Sequence, residues 1–201
     1  MTINYSISKN DWQFIISASI LISFFILTDL IRLINKENLY FIPGLISEQP
    51  YRILTSILIH ADINHLLSNL GGIIITRYFL IRLKMQSRFF YLKFIFISSF
   101  FNFFIIWIYE KILAYFFYIF PNYAALGFSG IIYALFGFIL LTSFYGKNYF
   151  LGEKIGLKSN YEVQKMSRTI CLIGLIFSFL PGVSLLGHLS GFIAGFFLFL
   201  I

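Results

Sequence analysis

Few residues in this chain could do chemistry, and they fall in three short stretches. The block HADINHLLSN supplies His60, His65 and Asn69, ALGFSGIIY supplies Gly127, Phe128, Ser129 and Tyr133, and GHLSGFIAG supplies His188, the last of three histidines. A serine hydroxyl beside an imidazole is the minimal set for nucleophilic acyl transfer, and an amide or imidazole N–H is a suitable donor to an oxyanion. Gly127-Phe128-Ser129-Gly130 has the form of a tight, hydroxyl-bearing turn. Each residue also has a plainer reading. Histidine or asparagine in an apolar helix commonly holds helices together through hydrogen bonds of about 0.6–2 kcal/mol, and serine between glycines is common at close helix contacts.

Spacing separates some of these possibilities. His65 and Asn69 are four apart and share one helix face, whereas His60 and His65, five apart, are expected to point roughly 140° away from each other. A helical zinc site needs histidines at i and i+4 with a third ligand, and nothing like His-Glu-x-x-His occurs. Neither a metal nor another cofactor is expected. Cys171 lies in an apolar run and reads as a small buried hydrophobe.

The elements that must position these residues follow from composition. Of 201 residues, 59% are hydrophobic, 21% aromatic and only 11% charged, far from a soluble globular domain. The expectation is an all-α polytopic membrane protein forming a single domain over residues 1–201, with the lipid bilayer as its partner. Spans are placed at about Trp12–Leu33, Ala61–Leu83, Phe89–Tyr109, Gly127–Tyr145, Arg168–Pro181 and Leu185–Ile201. The apolar stretch Ile112–Phe120 is too short to cross and is expected as a loop or surface helix in the outer leaflet. The first apolar segment is too long for a signal peptide and is read as a retained span.

The net charge of +7 is spread over short connections and not gathered into a stripe, which argues against nucleic acid. Arg82, Lys84, Arg88 and Lys93 lie between spans two and three, and Lys147, Lys154, Lys158, Lys165 and Arg168 between four and five. By the positive-inside rule both connections, and with them the N-terminus, face the cytoplasm. No internal repeat is visible, so an inverted-repeat transporter is disfavoured.

With that orientation, spans two, four and six all run inward from the outer surface. Each carries its polar residues within about two turns of its outer end, so His65, Asn69, Ser129 and His188 fall at one depth. Ser129 would start its helix, where unpaired N–H groups and a partial positive charge favour an oxyanion. Gly127 permits the turn, and Gly130 leaves room for a close neighbour. Gly187, Gly191 and Gly195 on span six, with Gly130 and Ala134 on span four, form a small-residue seam that would carry His188 against Ser129. Asp29, Asp62 and Glu110 have no obvious route to His188. Tyr133, one turn from Ser129, can pack its ring against the imidazole.

Taken together, these blocks strongly resemble the rhomboid family of intramembrane serine proteases. The resemblance covers nearly the whole chain: an aromatic-Arg pair, here Tyr51-Arg52, precedes the His60, His65, Asn69 pattern, then come Gly-x-Ser-Gly, Tyr133, and His188 with Gly191 and Gly195. It implies a rhomboid-like bundle of six transmembrane helices in the cell membrane, multi-pass, with the active site opening to the outer face. It implies that Ser129 is the nucleophile and His188 the base, that His65, Asn69 and the Ser129 N–H bind the oxyanion, and that Tyr133 supports the imidazole. Gly127, Phe128 and His60 belong to the supporting set, and transmembrane proteins are the implied substrates. Three departures stand out: Tyr51 for the commoner Trp, Gly187 where many members have Ala, and no acidic residue in TRYFLIRLKM at the end of span two. The competing expectations are a catalytically silent rhomboid-like client-binding protein and a small-solute channel or transporter.

Overall fold

The computed structural model describes residues 9–82, 87–118, 124–147, 149–154, 161–179 and 183–201. A chain this apolar folds as helices because a backbone without water must satisfy its own N–H and C=O groups. The helices are α1 (Trp12–Phe25), the short α2 (Arg52–Thr55), α3 (Ile63–Arg82), α4 (Phe90–Phe117), α5 (Ser129–Tyr145), α6 (Tyr161–Phe177) and α7 (Leu185–Leu200). A turn of π-helix over Ile26–Leu30 continues α1, and there the Thr28 hydroxyl donates to the Phe24 carbonyl at 2.8 Å. Among the described residues, two helical stretches, Trp12–Leu30 and Phe90–Phe117, are long and apolar enough to cross a membrane by length and composition, whereas α5 and α7 are apolar but shorter.

α5 is the axis of the fold. Every residue from Gly130 to Ile139 is buried, and the helix touches α3, α4, α6 and α7, most extensively α7. A helix apolar on all sides is one surrounded by others. The seam with α7 is backbone against backbone: a Cβ on Gly191 would fall on the Gly130 carbonyl, and one on Gly195 would lie 2.8 Å from the Phe138 nitrogen.

Three expectations change. Ile112–Phe117 is neither a loop nor a separate surface helix but the end of α4, whose 28 residues extend about 42 Å. Phe120 lies outside the described residues, as does the Pro181-Gly182 turn. α6 begins at Tyr161, seven residues before the expected Arg168, because Glu162, Gln164 and Lys165 continue the helix beyond its apolar part. The fold is also not wholly α. Tyr149–Phe150 and Glu153–Lys154 form a two-stranded antiparallel hairpin, with Leu151 (φ 48°) and Gly152 (φ 77°) both in the left-handed region that a two-residue I′-type turn needs. Phe150 from this hairpin is fully buried against Phe90, Phe94 and Phe138.

The end of α3 is held from the start of α1. Arg77 grips buried Asp11 with two hydrogen bonds, Nε to Oδ1 at 2.9 Å and Nη2 to Oδ2 at 2.6 Å. Beside them Gln13 Oε1 accepts from the Tyr91 and Leu92 N–H groups, at 3.1 and 3.3 Å, and its Nε2 donates to the Ser87 carbonyl at 3.2 Å. These contacts from the start of α1 fasten both the end of α3 and the start of α4.

Candidate active site

The segment before α3 sets one wall of the site. Arg52, nearly fully buried, donates from Nη1 to the Glu37 and Tyr40 carbonyls at 3.0 and 2.7 Å and from Nε to Gln49 Oε1 at 2.5 Å. It thereby gathers the loop between α1 and α2 around one guanidinium. That loop in turn holds the approach to α5: Phe41 and Ala125 exchange two backbone hydrogen bonds of 2.9 Å, and the Gly127 N–H donates to the Ser56 carbonyl at 2.8 Å. The Tyr51-Arg52 pair therefore acts at a distance from the polar residues it helps to place.

Gly127 has φ 103°, a conformation that L side chains rarely adopt, and Phe128 follows as the buried residue capping α5. Ser129 is the first residue of that helix. A side chain at Gly127 would strike His65, with a Cβ only 2.6 Å from Cε1 and 2.7 Å from Nε2, and would lie 3.6 Å from Asn69 Nδ2. Glycine is thus required twice, by the turn and by the two side chains that lie over it. Asp62 caps α3 by accepting from the His65 N–H at 2.8 Å. The Ala61 N–H donates to His65 Nδ1 at 3.4 Å, so Nδ1 is the acceptor nitrogen and Nε2 carries the proton beside Gly127. Asn69 Nδ2 is buried without a hydrogen-bond partner among the described residues. Two N–H donors therefore converge next to the helix N-terminus that begins at Ser129.

His188 reaches the same place from the first turn of α7, which Ser184 caps by accepting from the Gly187 N–H at 3.2 Å. The Tyr133 ring stacks on its imidazole with centroids 3.9 Å apart and planes 15° apart, and the Tyr133 hydroxyl donates to the Gly174 carbonyl of α6 at 2.6 Å. His188 Nδ1 lies 3.1 Å from Ser178 Oγ. Ser129, His188, His65, Asn69 and Tyr133 all line one open cavity of about 710 Å³, with Ile75, Ile132, Phe136 and Phe177 on its apolar side. The structure thus brings the sequence-selected polar residues of α3, α5 and α7 to a single cavity.

His60 does not point away from His65. It is fully buried, and the two rings meet edge to face with centroids 5.2 Å apart. The 140° estimate assumed one continuous helix, but α3 begins only at Ile63, and the non-helical residues before it turn His60 back onto His65. Gly130 also has a neighbour besides α7, since a Cβ there would strike the Asn102 amide of α4, whose Oδ1 accepts from Ser190 Oγ of α7 at 2.6 Å.

Sequence reasoning missed Ser178 and Asn102. Both are nearly fully buried polar side chains in apolar stretches, Asn102 within α4 and Ser178 just past the end of α6, and that burial cost is the signal that could have marked them. Comparison with known families gives a match over residues 47–201 to the family described as Rhomboid domain. No curated protein matches the sequence.

Proposed function

This chain belongs to the rhomboid family, and we propose that it is an intramembrane serine endopeptidase cleaving peptide bonds in or beside the transmembrane segments of other membrane proteins. The observation that carries this reading is the single cavity shared by Ser129 at the start of α5, His188 on α7, and the two donors of α3, His65 and Asn69. His188 Nε2 takes the Ser129 hydroxyl proton as Oγ attacks the scissile carbonyl. The negative charge that develops on the carbonyl oxygen is met by the Ser129 N–H at the helix N-terminus, His65 Nε2–H and Asn69 Nδ2–H. His188 then gives its proton to the leaving amine, and an ester to Ser129 remains. Water, deprotonated by the same imidazole, attacks that ester and frees the acid and the hydroxyl.

In this reading the six long helices are six membrane spans, with the N-terminus cytoplasmic and the cavity opening to the outer face. The short α5 and α7, about 26 and 24 Å long, suit a site that lies below the outer surface yet admits water. A substrate helix must unwind locally to offer its carbonyl, because helical hydrogen bonding conceals it. Residues with poor helix propensity are therefore the expected cleavage context.

Reconstituted in liposomes with a fluorogenic transmembrane peptide, the parent protein should cleave and Ser129→Ala should not, with melting unchanged. Cleavage by the Ala variant at the parent rate would remove the nucleophile assignment.

A further inference from the structure

The imidazole of His188 needs a partner for its second nitrogen, and no carboxylate among the described residues supplies one. A neutral histidine serves as a base only through the nitrogen without a proton, and which nitrogen that is depends on the hydrogen bond made by the other. We infer that Ser178 is a positioning residue that fixes the His188 tautomer, its oxygen accepting from Nδ1–H so that Nε2 keeps the lone pair. The inference rests on the proposed role of His188 as the base for Ser129.

The direction of the hydrogen bond follows from counting protons. Ser178 is 1% exposed, and its Oγ lies 3.1 Å from His188 Nδ1 and 3.3 Å from the Gly174 carbonyl oxygen, with the Tyr133 hydroxyl beside it. The hydroxyl donates its one proton to the Gly174 carbonyl, four residues back in the chain, which can only accept. With the proton so placed, an oxygen lone pair is left for Nδ1, and Nδ1 is then the donor. The Tyr133 hydroxyl donates to the same Gly174 carbonyl while its ring stacks on His188. The ring plane is thus set by Tyr133 and the ring's protonation pattern by Ser178, both tied to one carbonyl in the last turn of α6. This arrangement does with a neutral hydroxyl what the third member of a triad does with a charge.

The test uses the full chain in nanodiscs with ring-¹⁵N histidine, at a pH where imidazole is neutral, and assigns the His188 signals by their absence in His188→Ala. The parent protein should carry the His188 proton on Nδ1. Ser178→Ala should move it to Nε2 or to an exchanging mixture, and kcat on the fluorogenic peptide should fall at least about tenfold with KM unchanged. Ser178→Thr, which keeps the hydroxyl, should restore both tautomer and kcat. A parent His188 protonated at Nε2, or a Ser178→Ala protein with parent tautomer and parent kcat, would overturn the assignment. If the parent protein cleaves nothing, the protease reading falls, and the ¹⁵N spectrum still decides what Ser178 does.

Discussion

Gly191→Ala places one methyl group in the tightest seam of the molecule. A Cβ built on Gly191 falls on the Gly130 carbonyl oxygen and 3.0 Å from Gly130 Cα, so every obstacle is backbone and none can rotate away. Carbon contacts are comfortable from about 3.5 Å, so α7 must withdraw from α5 by about 0.5–1 Å. Overpacking of this kind costs about 1–3 kcal/mol, which at this chain length lowers the melting temperature by about 2–12 °C. The same withdrawal moves His188, one turn before Gly191 on α7, away from Ser129, and a misplacement near 1 Å can cost about 10²-fold in rate. Melting of the purified protein and turnover of the transmembrane peptide should therefore fall together. The control is Gly71→Ala on α3, where an added Cβ meets nothing within 4 Å and alanine adds about 0.5–1 kcal/mol of helix stability. A Gly191→Ala protein that melts like Gly71→Ala and turns over at the parent rate would refute the backbone seam.

Other substitutions separate the roles of the remaining residues. His65→Ala and Asn69→Ala should each lower kcat by up to about 10²–10³-fold with little change in KM, because oxyanion donors act mainly in the transition state; steady-state kinetics showing a raised KM at constant kcat would make them substrate binders instead. His60→Ala should lower both melting temperature and kcat, since it removes the ring on which His65 rests, but by less in kcat than His65→Ala. Arg77→Ala should cost about 1–3 kcal/mol in thermal or denaturant unfolding, because buried Asp11 loses its guanidinium; no change in unfolding would show the pair to be idle.

What could be read in the sequence is what depends on local chain chemistry. Gly127-Phe128-Ser129-Gly130 announces a turn into a helix because only glycine accepts the φ of 103° found there, and the repeat of Gly191 and Gly195 announces a close seam because four residues is nearly one turn. Contacts made across helices were not legible. Ser178, just past the end of α6, meets His188 of α7 where both elements flank α5, and Asn102 meets Ser190 across 88 residues of sequence. Gln13 fastens the start of α4 from 78 residues away in sequence, through backbone groups that no residue pattern advertises. The error at Ile112–Phe117 had another cause: membrane thickness limits what must be apolar, not how far hydrogen bonding carries a helix, and α4 simply continues. The error at His60 came from extending a helical phase into residues that precede the helix.

The central claim is that Ser129 is a nucleophile activated by His188 in a cavity reached by water. It is tested most directly by treating the full-length protein in liposomes with a fluorophosphonate probe and locating the adduct by mass spectrometry. The account predicts a single adduct on Ser129, no labelling in Ser129→Ala, and labelling in His188→Ala reduced to the level of the denatured protein. An unlabelled parent protein, an adduct on another residue, or full labelling of Ser129 in the His188→Ala protein would contradict it.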